Sequence, residues 1–184
     1  MLRRNSQRPV GDEPKVVLRP FSVADLADVA TWVAGIDPLT TAADWLADAI
    51  AESGSGTSDA GTLDASDGHQ RHRFTLAITE SDRVVGAVLL SIDSWIDRRG
   101  EIGFVVGESS RGRGIAQRAV ELLVRQAFDE VGLHRLWAVC DPENAAAQAV
   151  LLRSGFVVEG RLVHDRRIDG VWLDSLILGR IAGS

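Results

Sequence analysis

Apolar residues along the chain follow two periods, one typical of strands and one typical of helices. Short apolar runs predict strands at residues 15–20, 74–79, 83–92, 101–106, 134–140, 156–163 and 172–178. Apolar residues at helical spacing predict helices from about residue 23 and at residues 42–51, 115–131 and 145–153. Strands and helices in this order predict an α/β (α+β) domain with helices packed on a mixed sheet.

Three segments show neither pattern. One precedes the predicted domain and two lie within it. Residues 1–14 are polar, so we predict a flexible N-terminal tail and a single domain at residues 15–180. Residues 53–70 are rich in Gly, Ser, Asp and Thr, which predicts a mobile loop. This loop is either an inert insertion or a lid over a substrate site. Residues 93–99 are predicted to form a loop with an exposed Trp95.

The net charge and the distribution of apolar residues argue against two classes of protein, those that bind nucleic acids and those that span membranes. The net charge of −6 and the pI near 5.2 argue against a nucleic-acid-binding protein, which usually has a basic face. A negative surface favours a cationic substrate such as an amine. No apolar run approaches the roughly 20 residues of a membrane span, and the N-terminus lacks the apolar region of a secretory signal. We therefore expect a cytoplasmic protein without a membrane partner.

The chain offers little for a metal or a disulfide. Cys140 is the one cysteine, so an intramolecular disulfide and a multi-cysteine metal site are excluded. None of the four histidines forms a pair at metal-ligand spacing, and we expect no bound metal. Cys140 itself is expected to be a buried strand residue.

A glycine-rich turn connects the strand at residues 101–106 with the helix that follows. It reads Arg111, Gly112, Arg113, Gly114, Ile115 and Ala116. The first N–H groups of a helix have no intrahelical partners and the helix dipole is positive there, while glycine allows an anion to approach the backbone closely. Two arginines add charge-assisted hydrogen bonds. The turn therefore predicts a diphosphate site, with a simple tight turn as the alternative.

A second motif flanks the predicted helix at residues 145–153. The turn Asp141-Pro142-Glu143-Asn144 precedes a helix, and Gly155-Phe156 follows it. Taken alone, Asn144 is most simply a helix cap.

Together, the two motifs resemble the GNAT superfamily of acyl-coenzyme A-dependent N-acetyltransferases, in particular its RimJ/RimL-like branch. The resemblance extends over roughly residues 15–180. Its remaining parts are Ile102-Gly103-Phe104 before the turn, the segment Gly132 to Arg135, and the ending Glu159-Gly160, Asp169-Gly170 and Asp174.

The resemblance implies a fold and a donor site. The sheet would be mixed, mostly antiparallel and splayed between strands four and five, with helices on both faces. Acetyl-coenzyme A would be the co-substrate, with its pantetheine arm in the gap beside Phe104, Val105 and Val106. The pyrophosphate would lie on the N–H groups of residues 111–116, and Asn144 would hold the pantetheine. Physically, an extended amide chain can pair with an exposed strand edge.

The resemblance also implies direct attack of a primary amine on the thioester in a ternary complex. The acceptor would be a protein N-terminus, as in the ribosomal-protein branch, or a small molecule. An amine is mostly protonated at neutral pH, and Glu101 is the candidate general base, with a solvated carboxylate as the alternative. The usual acid for the leaving thiolate is missing, since the chain has no tyrosine and Ala147 stands at the family's serine position. Ser154 or water remain as substitutes.

Several alternatives stay open from the sequence. A non-catalytic acyl-coenzyme A-binding or sensing module would fit the missing acid, and another kind of phosphate-binding protein would fit the turn. Trp32, Trp45 and Trp95 are candidates for the wall of an acceptor groove, or for packing. A homodimer is possible.

Overall fold

The computed structural model describes residues 15–35, 40–54 and 73–183, and these form a seven-stranded sheet with helices on both sides. The strands are β1 (Val16–Arg19), β2 (Arg73–Glu80), β3 (Arg83–Ser94), β4 (Arg99–Val106), β5 (Arg135–Cys140), β6 (Val157–Ile168) and β7 (Val171–Ile181). Their order in the sheet is β1-β2-β3-β4-β5-β7-β6. Only β4 and β5 pair in parallel in this sheet, so the expected mixed, mostly antiparallel sheet is confirmed.

Four helices cover the two faces of the sheet. They are α1 (Leu26–Val29), α2 (Ala42–Gly54), α3 (Ile115–Arg125) and α4 (Ala145–Arg153). Helix α3 continues into one π-helical segment, Gln126–Glu130, and α1 follows a 3₁₀ turn at Val23–Asp25. None of the helices within the described ranges is long and apolar enough to cross a membrane.

The alternating side chains of the strands divide the interior into two cores. Leu76 and Ile78 of β2 point to the larger core, which they share with α3 and with Leu151 of α4. Ala77, between them, points to a smaller core built with α1 and α2. Successive strand residues face opposite sides of a sheet, so this alternation places helices on both faces, as the resemblance implies.

The sheet is open between β4 and β5. Their pairing is limited to Arg99 with Arg135, Gly100 with Leu136 and Glu101 with Trp137. Beyond these positions the two strands diverge, although each keeps its other neighbour, β3 or β7. The expected splay between strands four and five is therefore confirmed. It leaves the backbone from residue 102 to 106 unpaired on one side.

Several boundaries differ from the sequence prediction because distant contacts decide them. Helix α2 runs to Gly54, past the predicted loop start, and the hydroxyl of Ser53 contacts the carbonyl oxygens of Ala49 and Thr75. Strands β3 and β4 extend into the two ends of the predicted 93–99 loop and leave residues 95–98 as the turn between them. Trp95 is half-buried against the larger core, so its predicted exposure is wrong. Residues 1–14 and 55–72 lie outside the described ranges.

Strand β3 approaches β4 closely at one glycine. Gly86 is buried opposite Val106, and a Cβ atom on it would lie 2.2 Å from the carbonyl oxygen of Val105 and 3.0 Å from the Cα of Val106. Real Cβ atoms do not come that close to backbone atoms. Glycine at this position therefore allows β3 to lie close to Val105, which is within the open gap.

The 3₁₀ turn before α1 is held to β1 by one ion pair. Arg19 donates from Nη2 to Oδ1 of Asp25 at 2.7 Å, and the backbone N–H of Ser22 donates to Oδ2 of Asp25 at 2.8 Å. These hydrogen bonds to the charged carboxylate, with Arg19 the larger contribution, lower the pKa of Asp25. The start of α1 is thus fixed against the sheet.

Candidate functional site

A cleft of about 490 Å³ lies at the open gap between β4, the glycine-rich turn and α4; we call it the glycine-turn cleft. Its lining includes Phe104, Val105, Val106, Ser110, Arg111, Gly112, Gly114, Ile115, Ala116, Gln117, Asn144, Ala146, Ala147, Ala149, Val150 and Arg153. Nine of the ten cofactor-binding residues predicted from the sequence are in this set. The structure therefore brings the two sequence motifs together around one space.

The turn that opens α3 presents unobstructed backbone to this cleft. Gly112 and Gly114 have φ angles of +73° and +80°, and Gly114 is the N-cap of α3. L-residues rarely adopt this conformation, which explains the two glycines. A Cβ atom at either position would meet nothing within 4 Å, so the space beside the backbone is open to a ligand. Free N–H groups and the positive helix dipole make this a fitting place for an anion.

The arginines around the cleft differ in the groups that they contact. Arg111 lines the cleft, and its Nε donates to the carbonyl oxygen of Val106 at 3.0 Å. Arg113 is the predicted residue that does not line it, because its Nη2 contacts Oε1 of Glu80 at 2.6 Å. Arg153, at the end of α4, lines the cleft and was not singled out from the sequence. The sequence did not indicate that Arg153 belongs to the site, because a basic residue in the last turn of a helix commonly just complements the helix dipole.

Asn144 occupies the N-cap of α4 and lines the cleft. Its Oδ1 accepts a hydrogen bond from the backbone N–H of Ala147 at 3.0 Å, so the capping role is present. Ala147 also lines the cleft and places a methyl group where the family carries a hydroxyl. Ser154 is buried at the opposite end of α4, beside Arg180, which removes it as a substitute acid in the cleft.

A second cleft of about 430 Å³ lies on the other side of β4, against α2; we call it the α2 cleft. Phe104 and Val105 line both clefts, so the two spaces meet across β4. Asp48 and Glu52 of α2 line the α2 cleft, and Glu52 pairs with Arg73 at 3.2 Å. Asp48 is exposed and Glu52 is half-buried, and an exposed carboxylate at such a surface attracts cations.

Glu101 lies on the same sheet face as the α2 cleft. Ile102 packs in the larger core on the opposite face, while Gly103, two residues beyond Glu101, lines the α2 cleft. Burial, more than any other factor, raises the pKa of Glu101; the charge of Asp93 raises it further, and Arg73 opposes the shift. Glu101 itself is not among the residues that line the α2 cleft, but it lies beside it on the same face. A carboxylate with a raised pKa next to a cleft is suited to accept a proton.

Aromatic side chains form one wall of the α2 cleft. Trp45 lines it and makes edge-to-face contacts with Trp32 at 5.0 Å and with Phe21 at 5.3 Å between ring centroids. Trp95 instead packs on the larger core on the other face, which is the packing alternative given for this residue. Among the residues with described positions, no group of three or more His, Cys, Asp or Glu side chains is arranged to hold a metal ion.

Comparison with known proteins identifies relatives of this chain. A family model described as an acetyltransferase (GNAT) domain matches residues 15–157. Spermidine N(1)-acetyltransferase of Escherichia coli K12 is 31% identical over 91 residues, covering 50% of this chain and 49% of that protein. Ribosomal-protein-serine acetyltransferase of the same strain is 27% identical over 117 residues, covering 63% of this chain and 65% of that protein.

A solved structure extends the likeness to the whole fold. Mycobacterium smegmatis RimJ in complex with CoA-disulfide has a TM-score of 0.71 at 27% identity, with 91% of this chain and 82% of that chain covered. In sequence, the chain spans about half to two thirds of the length of the curated relatives it matches. The ribosomal-protein and RimJ matches fit the RimJ/RimL-like branch.

Proposed function

Because the chain belongs to the GNAT acetyltransferase family, we propose that it transfers an acetyl group from acetyl-coenzyme A to a primary amine. The observation that carries this proposal is the meeting of the glycine-turn cleft and the α2 cleft at Phe104 and Val105. A donor in one cleft and an acceptor in the other would bring thioester and amine together beside the unpaired part of β4. Holding two reactants in one place is a large part of catalysis for such a transfer.

The glycine-turn cleft fits the donor. The diphosphate would lie on the N–H groups at the start of α3, with Arg111 and Arg153 as flanking cations. The pantetheine arm would enter the gap beside residues 104–106, where the backbone of β4 has no partner strand. Asn144 would lie beside it from the N-terminus of α4.

The α2 cleft fits a cationic acceptor. Asp48 and Glu52 would attract an ammonium group, and Glu101 would take its proton. The amine nitrogen then forms a bond to the acetyl carbonyl carbon, the nitrogen gives its second proton to water, the carbon–sulfur bond breaks, and the sulfur leaves with its electron pair. Ala147 supplies no acid, so the thiolate takes a proton from water. The relatives act on spermidine or on ribosomal-protein serine, and both a polyamine and a protein N-terminus remain candidate acceptors.

An amine panel tests this function. The purified chain is mixed with acetyl-coenzyme A and with spermidine or short peptides that begin with serine or alanine, and release of free thiol is followed. We expect turnover with at least one amine and none with its N-acetylated form. Binding of coenzyme A without turnover on any amine would instead support an acyl-coenzyme A sensor, for which the methyl group of Ala147 is the favouring observation. Competition by ATP would support a different phosphate-binding protein.

The two arginines of the turn should contribute unequally to donor binding. Arg111→Ala removes a cation from the cleft and should weaken coenzyme A binding about 10-fold or more, because a hydrogen bond to a charged group contributes about 1.5–3 kcal/mol. Arg113→Ala should have the smaller effect, since Glu80 already engages this side chain. Titration calorimetry with coenzyme A measures both. Arg125→Ala, at the far end of α3, is the matched control, and equal losses for Arg111→Ala and Arg113→Ala would contradict the assignment.

A further inference from the structure

Trp137 lies beside the candidate base at the narrow end of the gap between β4 and β5. Glu101 of β4 pairs in parallel with Trp137 of β5, and the two strands diverge directly beyond this pair. Residues paired in this way carry their side chains on the same face of the sheet, about 5 Å apart. A donor lying along residues 102–106 would therefore have this pair next to one of its ends.

Trp137 is not a core residue. The smaller core, which α1 and α2 form on the face of Glu101, contains no residue of β5. The larger core does not include Trp137 either. Trp137 is half-buried, and within residues 15–35, 40–54 and 73–183 its indole N–H has no side-chain or backbone partner. Indole N–H groups inside a fold usually have a partner, so packing alone does not account for this position.

The two tryptophans of β5 and β7 differ in the cation that lies over the ring. The guanidinium carbon of Arg167 lies 5.9 Å from the ring centroid of Trp172. Arg135 lies two residues before Trp137 on the same face, but its Nη1 donates to Oε1 of Glu159 at 2.8 Å instead. No arginine or lysine of the described chain stacks on Trp137. The ring of Trp137 is thus accessible to a cation from outside the protein.

Gly179 explains why Arg135 does not cover the ring. Gly179 lies opposite Trp137 on β7. A Cβ atom on Gly179 would lie 2.5 Å from the carboxyl carbon of Glu159 and 2.7 Å from its Oε2, so the carboxylate of Glu159 occupies the space of the missing side chain. The hydrogen bond from Arg135 lowers the pKa of Glu159, which keeps this ion pair charged at neutral pH. The pair holds Arg135 over Gly179.

Glu101, on the other side of Trp137, is a carboxylate without a partner. It makes no ion pair and no side-chain hydrogen bond in the described chain. Gly103, the next residue on this face, lines the α2 cleft, and a Cβ atom there would meet only the side chain of Leu89. The approach from the α2 cleft to Glu101 and Trp137 is therefore not blocked by a side chain of β4.

An aromatic ring without a protein cation, next to an unpaired carboxylate, is suited to bind an ammonium group, and tryptophan gives the strongest cation–π contact. We propose that Trp137 binds the ammonium group of the acceptor and presents it to Glu101, an inference that rests on the proposed acetyl transfer. Once Glu101 has taken a proton, the neutral amine is no longer attracted to the ring as a cation and can turn to the thioester. Trp137 is then a specificity residue that selects amines over uncharged nucleophiles.

NMR of the indole N–H groups tests the contact without any turnover. The five tryptophans contribute five resonances, and Trp137→Phe and Trp172→Phe identify two of them. Butylamine, which is protonated at neutral pH, is added to the wild type without acetyl-coenzyme A, and butan-1-ol is the uncharged control. Butylammonium should shift the resonance of Trp137 and not that of Trp172, while butan-1-ol should shift neither.

This result separates the inference from the proposed function. A shift of Trp137 by butylammonium, without turnover on any amine, would support the ammonium site and contradict acetyl transfer alone. No shift by butylammonium, or an equal shift by butan-1-ol, would overturn the ammonium site even if amines are acetylated.

Steady-state kinetics distinguish acceptor binding from a structural role. Trp137→Leu should raise KM for the amine about 5-fold to 30-fold, the range of a cation–π contact on tryptophan, with kcat near the wild-type value. Trp137→Phe keeps a ring and should raise KM less. Trp172→Leu is the matched control and should leave KM unchanged, because Arg167 already covers that ring. An unchanged KM in Trp137→Leu, or a loss confined to kcat, would overturn the inference.

Discussion

Glu101→Gln is expected to lower kcat/KM for the amine acceptor by about 100-fold or more, because general-base catalysis typically contributes 10²–10⁴-fold. The glutamine keeps the size of the side chain and removes its ability to accept a proton. Initial rates of thiol release, taken at saturating acetyl-coenzyme A and varied amine concentration, measure the change. The affinity for coenzyme A should stay near the wild-type value. Glu101 lies on the sheet face that carries the α2 cleft, and it does not line the glycine-turn cleft proposed for the donor.

The pH dependence separates a base from a side chain that only shapes the cleft. In the wild type, kcat/KM should fall as the pH decreases through the pKa of Glu101, which burial and Asp93 raise from the ordinary value of a glutamate. Glu101→Gln should lose this step and keep only the titration of the amine itself. A profile unchanged by the substitution would remove Glu101 from the mechanism.

Asp93→Asn is the matched test of what sets that pKa. Asp93 faces Glu101 from β3 and Arg73 faces it from β2, with opposite effects on the pKa. Removing the charge of Asp93 also frees Arg99, which it binds at 2.8 Å. Both changes favour the ionised Glu101, so the acid limb should move to lower pH while turnover at neutral pH is retained.

Stability gives the control for folding of the Glu101 variant. The raised pKa means that ionising Glu101 costs folding free energy as the pH rises through its folded-state pKa. Glutamine removes that cost. The thermal unfolding midpoint of Glu101→Gln at neutral pH should therefore equal or exceed that of the wild type.

Gly86→Ala is expected to destabilise the chain by about 3 kcal/mol or more, at the upper end of overpacking substitutions. The added Cβ would lie 2.2 Å from the carbonyl oxygen of Val105, and backbone atoms in a paired strand cannot rotate away as a side chain does. For a chain of this size, about 2–4 °C is lost per kcal/mol, so the unfolding midpoint should fall by roughly 10 °C. Differential scanning calorimetry measures it.

Gly103→Ala on the neighbouring strand is the matched control. Its Cβ would meet only the side chain of Leu89, at 3.6 and 3.7 Å, which is ordinary contact. Alanine also restricts the unfolded chain, so stability should be unchanged or slightly raised. Equal effects at Gly86 and Gly103 would show that loss of glycine itself, rather than the contact with Val105, decides the result.

Local patterns predicted the elements that build the donor side of the fold. Short apolar runs placed the strands, and the glycine-rich turn at residues 111–116 placed the start of α3. These features depend on neighbours in sequence, which is why one sequence suffices to find them.

Features decided by distant residues were not visible in the sequence. The end of α2 depends on a contact of Ser53 with Thr75. The orientation of Arg113 depends on its ion pair with Glu80, which lies 33 positions earlier in the chain. Trp95 was predicted to be exposed because the sequence does not tell which core a turn residue meets.

The three residue pairs that join β4 to β5 have a thermodynamic consequence. They are the only pairing between a four-stranded half and a three-stranded half of the described sheet. A donor that fills the gap would satisfy backbone groups of β4 that otherwise bond to water, and it would do so only in the folded state. Donor concentration and conformational stability are then linked quantities, so the unfolding midpoint should rise as the concentration of coenzyme A or acetyl-coenzyme A increases.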